Sequence, residues 1–151
     1  MRPRAALGGL AGLLLVLPVT GCAGDTESYC AELEEQEQTL TDLASRADQP
    51  GTDVFTESLD VFEALRDAAP GDVVDEWDTL VFAWQGLADA FEAAGTTPTE
   101  FDPADPPPDL GQAEVDRLVD AAAELRSPRV VSAGDGIEQH AKDVCGVDLG
   151  L

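Results

Sequence analysis

Apolar residues recur at intervals of three and four along most of the chain, most clearly at Val73, Trp77, Leu80, Val81, Trp84, Leu87, Ala88 and Phe91. This is the period of a helix with one face turned to a core, and it predicts a helix over 72–94 at the centre of the fold. Upstream, Tyr29, Leu33, Leu40, Leu43, Ala44 and Ala47 predict a first helix starting near Thr26 and ended by Asp48-Gln49-Pro50-Gly51. A second helix is expected from Thr56, whose hydroxyl suits a cap, with Phe55 packing from just outside. Its stripe is Leu59, Phe62, Leu65 and Ala69, and Ala69-Pro70-Gly71 stops it.

Downstream, Val115, Leu118, Val119, Ala122 and Leu125 predict a helix over 112–126. Ser127-Pro128 then reads as a cap followed by proline at the first helical position. The helix it opens carries Val130, Val131, Ile137, Ala141 and Val144, is weakened by Gly134 and Gly136, and ends at Gly146, which suits a left-handed turn. Glu138 and Lys142 are correctly ordered for a helical ion pair. Neither strand alternation nor an internal repeat competes. The expected fold is all-α, a four- to five-helix antiparallel bundle.

Two features interrupt the pattern. Phe82 points away from the Trp77 and Trp84 stripe, toward the small residues Thr79, Ala83, Gly86 and Ala90. The favoured expectation is a second packed layer, and exposure to a partner is the alternative. Trp77 and Trp84 themselves are expected to be core residues rather than a ligand cage. The segment 95–111 has five prolines with Asp102, Asp105 and Asp109 among them, and reads as an extended polyproline loop. Its acids invite a calcium reading, but the alternating oxygen ligands, central glycine and final glutamate of an EF-hand loop are absent from the spacing.

The first residues follow another pattern. Arg2 and Arg4 precede an uncharged run, Ala5 to Val19, with small residues after it, which predicts an export signal. As a retained span the run is short and is weakened by Gly8, Gly9, Gly12 and Pro18. An ordinary signal peptidase finds small residues around Gly21-Cys22-Ala23. The alternative, and the favoured one, is that Val19-Thr20-Gly21-Cys22 resembles the lipobox of bacterial lipoproteins. That resemblance implies a diacylglyceryl group on the sulfur of Cys22, cleavage before it, and a place on the extracytoplasmic face of the cell membrane. The expected organisation is a signal over 1–21, a tether over 22–25 and a helical domain over 26–151.

The chain has 3 cysteines, Cys22, Cys30 and Cys145, an odd number for an exported protein. Lipid on Cys22 leaves Cys30 and Cys145 to pair in an oxidising compartment. That bond would join the first helix to the last and close nearly the whole domain. Eight residue steps separate Cys22 from Cys30, at most about 28 Å of extended chain. The domain would therefore stand close to the bilayer.

Charge then narrows the partners. The net charge is −23, and losing Arg2 and Arg4 leaves 6 basic against 31 acidic residues, or −25. Nucleic acid and anionic headgroups are disfavoured. The membrane is met through lipid rather than through a basic patch. The surface charge favours a monomer.

Tyr29-Cys30 opening a helix, Ala69-Pro70 before a tryptophan-bearing helix, and Val144-Cys145-Gly146-Val147 at the end are similar to small helical secreted proteins and lipoproteins of actinobacteria. Seven arginines against one lysine agree with such a source. The resemblance implies an exported bundle with a terminal disulfide, and carries over no activity, cofactor or catalytic residue. His140 is the single histidine, expected at a helix boundary in a structural role. No nucleophile–base pair, metal set or matched carboxylates stand out. The expected function is a noncatalytic, lipid-anchored module that binds an envelope protein or sequesters a ligand. Small-ligand or cation binding is the alternative, and an enzyme is the third choice.

Overall fold

The computed structural model describes residues 25–47, 49 and 53–150. Those residues form an all-α fold of α1 (Thr26–Arg46), α2 (Val54–Ala68), α3 (Val74–Ala94), α4 (Gln112–Glu124) and α5 (Pro128–His140), with a π turn at Ala141–Cys145. Val19, Thr20, Gly21 and Cys22 lie outside the described residues.

The helix starts follow local chemistry. Asp25 caps α1 by accepting from the Ser28 N–H at 2.8 Å, and Asp53 caps α2 by accepting from the Thr56 N–H at 3.0 Å. Thr56 is thus the residue being capped rather than the cap, because an Asp three residues earlier offers a charged acceptor to the same orphan N–H groups. Phe55 consequently lies within α2. Ser127 caps α5 with Pro128 behind it, as the sequence predicts. Gly95 (φ 66) closes α3 and Gly146 (φ 73) closes the π turn, both in the left-handed region.

The directions of the helices follow from who meets whom. Arg46 at the end of α1 pairs with Glu57 at the start of α2 at 2.6 Å. Phe55 of early α2 stacks on Trp84 and approaches Phe91 of late α3. His140 at the end of α5 faces Asp72 just before α3. Successive passes are therefore antiparallel. Leu125, which ends α4, and Val130, which begins α5, border the same stretch of α3 at Leu80 and Trp84. α4 and α5 follow one another along α3, so the bundle has four passes, the last broken at Ser127-Pro128.

The core draws on all four passes: Tyr29, Leu33, Leu40 and Leu43 from α1; Val61, Phe62 and Leu65 from α2; Trp77, Leu80 and Val81 from α3; Val130 and Ile137 from α5. Val147 and Leu149 fold back onto it after Gly146. Ala44, Ala47, Val119, Val131 and Val144, placed by periodicity on inward stripes, are exposed. A period of 3.6 sweeps residues at the edge of a stripe past the contact line, and at Val144 the wider π turn breaks that period. The loop 95–111 is not an extended polyproline segment but a run of turns, with the Thr97, Asp102 and Pro107 carbonyls accepting from Glu100, Asp105 and Leu110. Phe101 anchors it edge-on against Phe91, with centroids 6.0 Å apart.

Candidate functional site

One end of the bundle is closed. Cys30, in the first turns of α1, is bonded to Cys145 in the π turn with Cα atoms 5.2 Å apart, so the predicted pairing of first and last helices is present. Beside it the Trp77 Nε1–H donates to the Tyr29 hydroxyl at 2.8 Å, and both side chains are fully buried. Burial pushes the Tyr29 hydroxyl above its ordinary pKa; the bond from Trp77 opposes this and the nearby Asp72 charge reinforces it. The His140 ring lies 5.6 Å from that of Tyr29, and its Nε2 is 3.4 Å from Asp72 Oδ2. The His140 side chain is 11% exposed and its ring nitrogens have no hydrogen-bond partner among the described residues. Lys142 pairs with Glu138, as the spacing predicts, and with Asp148 at 3.3 Å.

This end is built for packing. Six hydroxyls elsewhere serve the helices: Ser28, Thr56 and Ser127 bond in caps, while Thr41, Ser45 and Thr79 donate to helix carbonyls. Among the described residues, no group of three His, Cys, Asp or Glu side chains converges to hold a metal. In the acidic loop, Asp102 Oδ1 accepts from the Ala104 N–H at 2.8 Å, so its carboxylate shapes a turn. No helix among the described residues is long and apolar enough to cross a membrane.

The opposite character appears on the flank where the last pass is broken. Phe62, Leu80, Trp84, Leu125, Val130 and Val131 wall a cleft of about 370 Å³, with Gly134 in its lining and Asp135 the charged group at its rim. Trp84 is held in place by Phe55, stacked at 4.9 Å, and by Phe62, edge-on at 5.1 Å. The two tryptophans therefore differ: Trp77 is core, as expected, while Trp84 packs on one side and lines the cleft on the other. The kink that shapes the cleft is held by Glu124, which accepts from Arg129 at 2.6 Å and from Ser127 at 3.2 Å. The Arg129 bond first, and the Ser127 bond second, hold its carboxyl below the ordinary range.

No protein family, curated protein or solved structure matches the chain.

Phe82 does not fill a second layer. It is 69% exposed, on the outer side of α3, with Arg66, Thr79, Gln85 and Arg129 around it. The helices flank α3 closely enough to bury Ala83 but leave the ring of Phe82 uncovered. The sequence marks the Ser127-Pro128 break and Gly134 beside the cleft, but not that the helices leave the space between them open.

Proposed function

We propose that the protein is a lipid-anchored, extracytoplasmic binding module of the cell envelope that acts without catalysis. The observation that supports this most is the division of the domain into a covalently closed end and an apolar cleft on the flank. The closed end carries Cys30, which is eight residue steps from Cys22 in the sequence. A lipid on Cys22 would hold that end within about 28 Å of the bilayer. Gly134 lies eleven residues before Cys145, so the cleft stands about 16 Å further along the helix axis, clear of the anchor. The place of the single histidine, His140, against Tyr29 in the packed end, away from the cleft lining, favours binding over chemistry.

The exposed Phe82 favours a second reading, in which the module meets an envelope protein through the outer face of α3. Cell fractionation tests the anchoring that both readings share. Cys22→Ser is expected to move the protein from the membrane fraction to the soluble extracytoplasmic fraction or to leave it unprocessed. A variant that is processed and retained at the membrane like the parent contradicts lipid anchoring. In-cell crosslinking from position 79, beside Phe82 on the same face, separates the readings, since a reproducible neighbour lost in Phe82→Ser supports a protein partner.

A further inference from the structure

We propose that the cleft between α3 and the broken pass binds a small amphiphilic cation: an apolar body bearing one ammonium group, about a dozen heavy atoms in all. The inference deepens the binding-module reading and rests on it, but it does not depend on the anchor.

Size comes first. About 370 Å³ lies at the lower end of the range of small-molecule sites. At roughly 30 Å³ for each water-sized group, it accommodates about a dozen. The walls then set the body of the ligand. Phe62, Leu80 and Val130 are buried core side chains that form the floor, while Trp84, Leu125 and Val131 are only partly covered, and Val131 is 52% exposed. A hydrocarbon or aryl body entering there removes its own surface and theirs from water. Trp84 is held by Phe55 and Phe62, so it offers a surface that needs no reordering on binding.

Charge sets the head. Among the described residues Asp135 is the one ionisable group in the cleft lining, and it stands at an exposed position. A carboxylate at the mouth of an apolar cleft favours a cationic head and repels an anionic one. The net charge of −23 adds a long-range field of the same sign. A fatty carboxylate would meet the same apolar walls but the wrong field.

Octyltrimethylammonium, whose size matches the estimate, is the probe, with octanoate and octanol as comparators of equal chain length. The full chain is titrated by calorimetry and by tryptophan fluorescence, below the concentration at which the probes form micelles. The expected result is saturable binding of the cation with a change in emission, at least about tenfold tighter than octanoate, with the preference shrinking as salt is added. Asp135→Asn is expected to weaken the cation about two- to fivefold and leave octanol unchanged. Gly134→Leu is expected to abolish binding by filling the cleft, without lowering the melting temperature, since leucine replaces glycine inside a helix where the added Cβ meets nothing.

Equal affinity for cation and anion, or undiminished binding in Gly134→Leu, overturns the proposal. So does a concentration-dependent dimer that Gly134→Leu disperses, because the cleft would then be covered by a second copy. Failure here leaves the Cys22→Ser result standing, and failure of anchoring leaves this titration standing, so the two are told apart.

Discussion

At the disulfide end Tyr29, Trp77, Ile137 and Ala141 are fully buried, and the Trp77 indole N–H and the Tyr29 hydroxyl satisfy each other. About two turns along α3, Trp84, Leu125 and Val131 remain partly uncovered around a cleft. Both regions are apolar and both belong to the same bundle. They differ in continuity: the closed end is tied covalently and finished by Val147 and Leu149, whereas the flank is formed where the last pass breaks at a proline and continues through glycines. A small bundle can thus concentrate its rigidity at one end and leave apolar surface available at another.

The contrast predicts graded effects. Replacing Cys30 and Cys145 together with alanine removes a constraint spanning 115 residues, for which the chain-entropy treatment assigns about 4–5 kcal/mol. Urea unfolding of the double variant should show a loss of that order, and an unchanged midpoint would remove the covalent tie from the comparison.

Tyr29→Phe comes next. It strands the buried Trp77 Nε1–H and should cost about 1–3 kcal/mol in the same assay. The same residue governs alkaline behaviour. Burial raises the pKa of the folded state, so above the ordinary value of 10.0 the unfolded chain releases a proton that the folded chain keeps. Stability should therefore fall as pH rises past that value, and Tyr29→Phe should flatten the decline. The chain has a single tyrosine, so near-ultraviolet absorbance follows this ionisation directly. A phenol that titrates at its ordinary value in the folded protein would contradict the packing of the closed end.

On the flank the signs reverse. Gly134→Ala should stabilise by about 0.5–1 kcal/mol, because the new methyl meets open space and helix entropy improves. A loss measured by thermal unfolding would mean that the cleft is occupied by protein atoms. Smallest of all, Phe82→Ser should change stability by no more than about 0.5 kcal/mol. A loss of several kcal/mol would return Phe82 to a packed layer.

Much of this architecture was legible in the chain. Long stripes such as Trp77–Leu80–Val81–Trp84 report their buried face reliably, because every turn repeats the same information. The disulfide was legible from cysteine number and position, and the α5 start from Ser127-Pro128. What was not legible depended on neighbours. Whether Phe82 is covered is decided by how far α2 and α5 wrap around α3, which the periodicity of α3 does not encode. The division of labour between Trp77 and Trp84 has the same origin: both occupy one stripe, but Tyr29 and the closed end cover only the first. The cleft arises from two helices running end to end, a relation between elements rather than a property of either. The turns of 95–111 escaped because proline composition suggests extension, while the Asp102 side chain and the Phe101–Phe91 contact fold the segment locally.

The most direct measurement is the intact mass and amino terminus of the protein extracted from membranes without reduction. The expected species begins at Cys22, carries a diacylglyceryl group on its sulfur, and is lighter by the pair of hydrogens lost when Cys30 joins Cys145. A chain that begins at Gly24 without lipid, or one that keeps residues 1–21, would contradict the anchored module at its foundation.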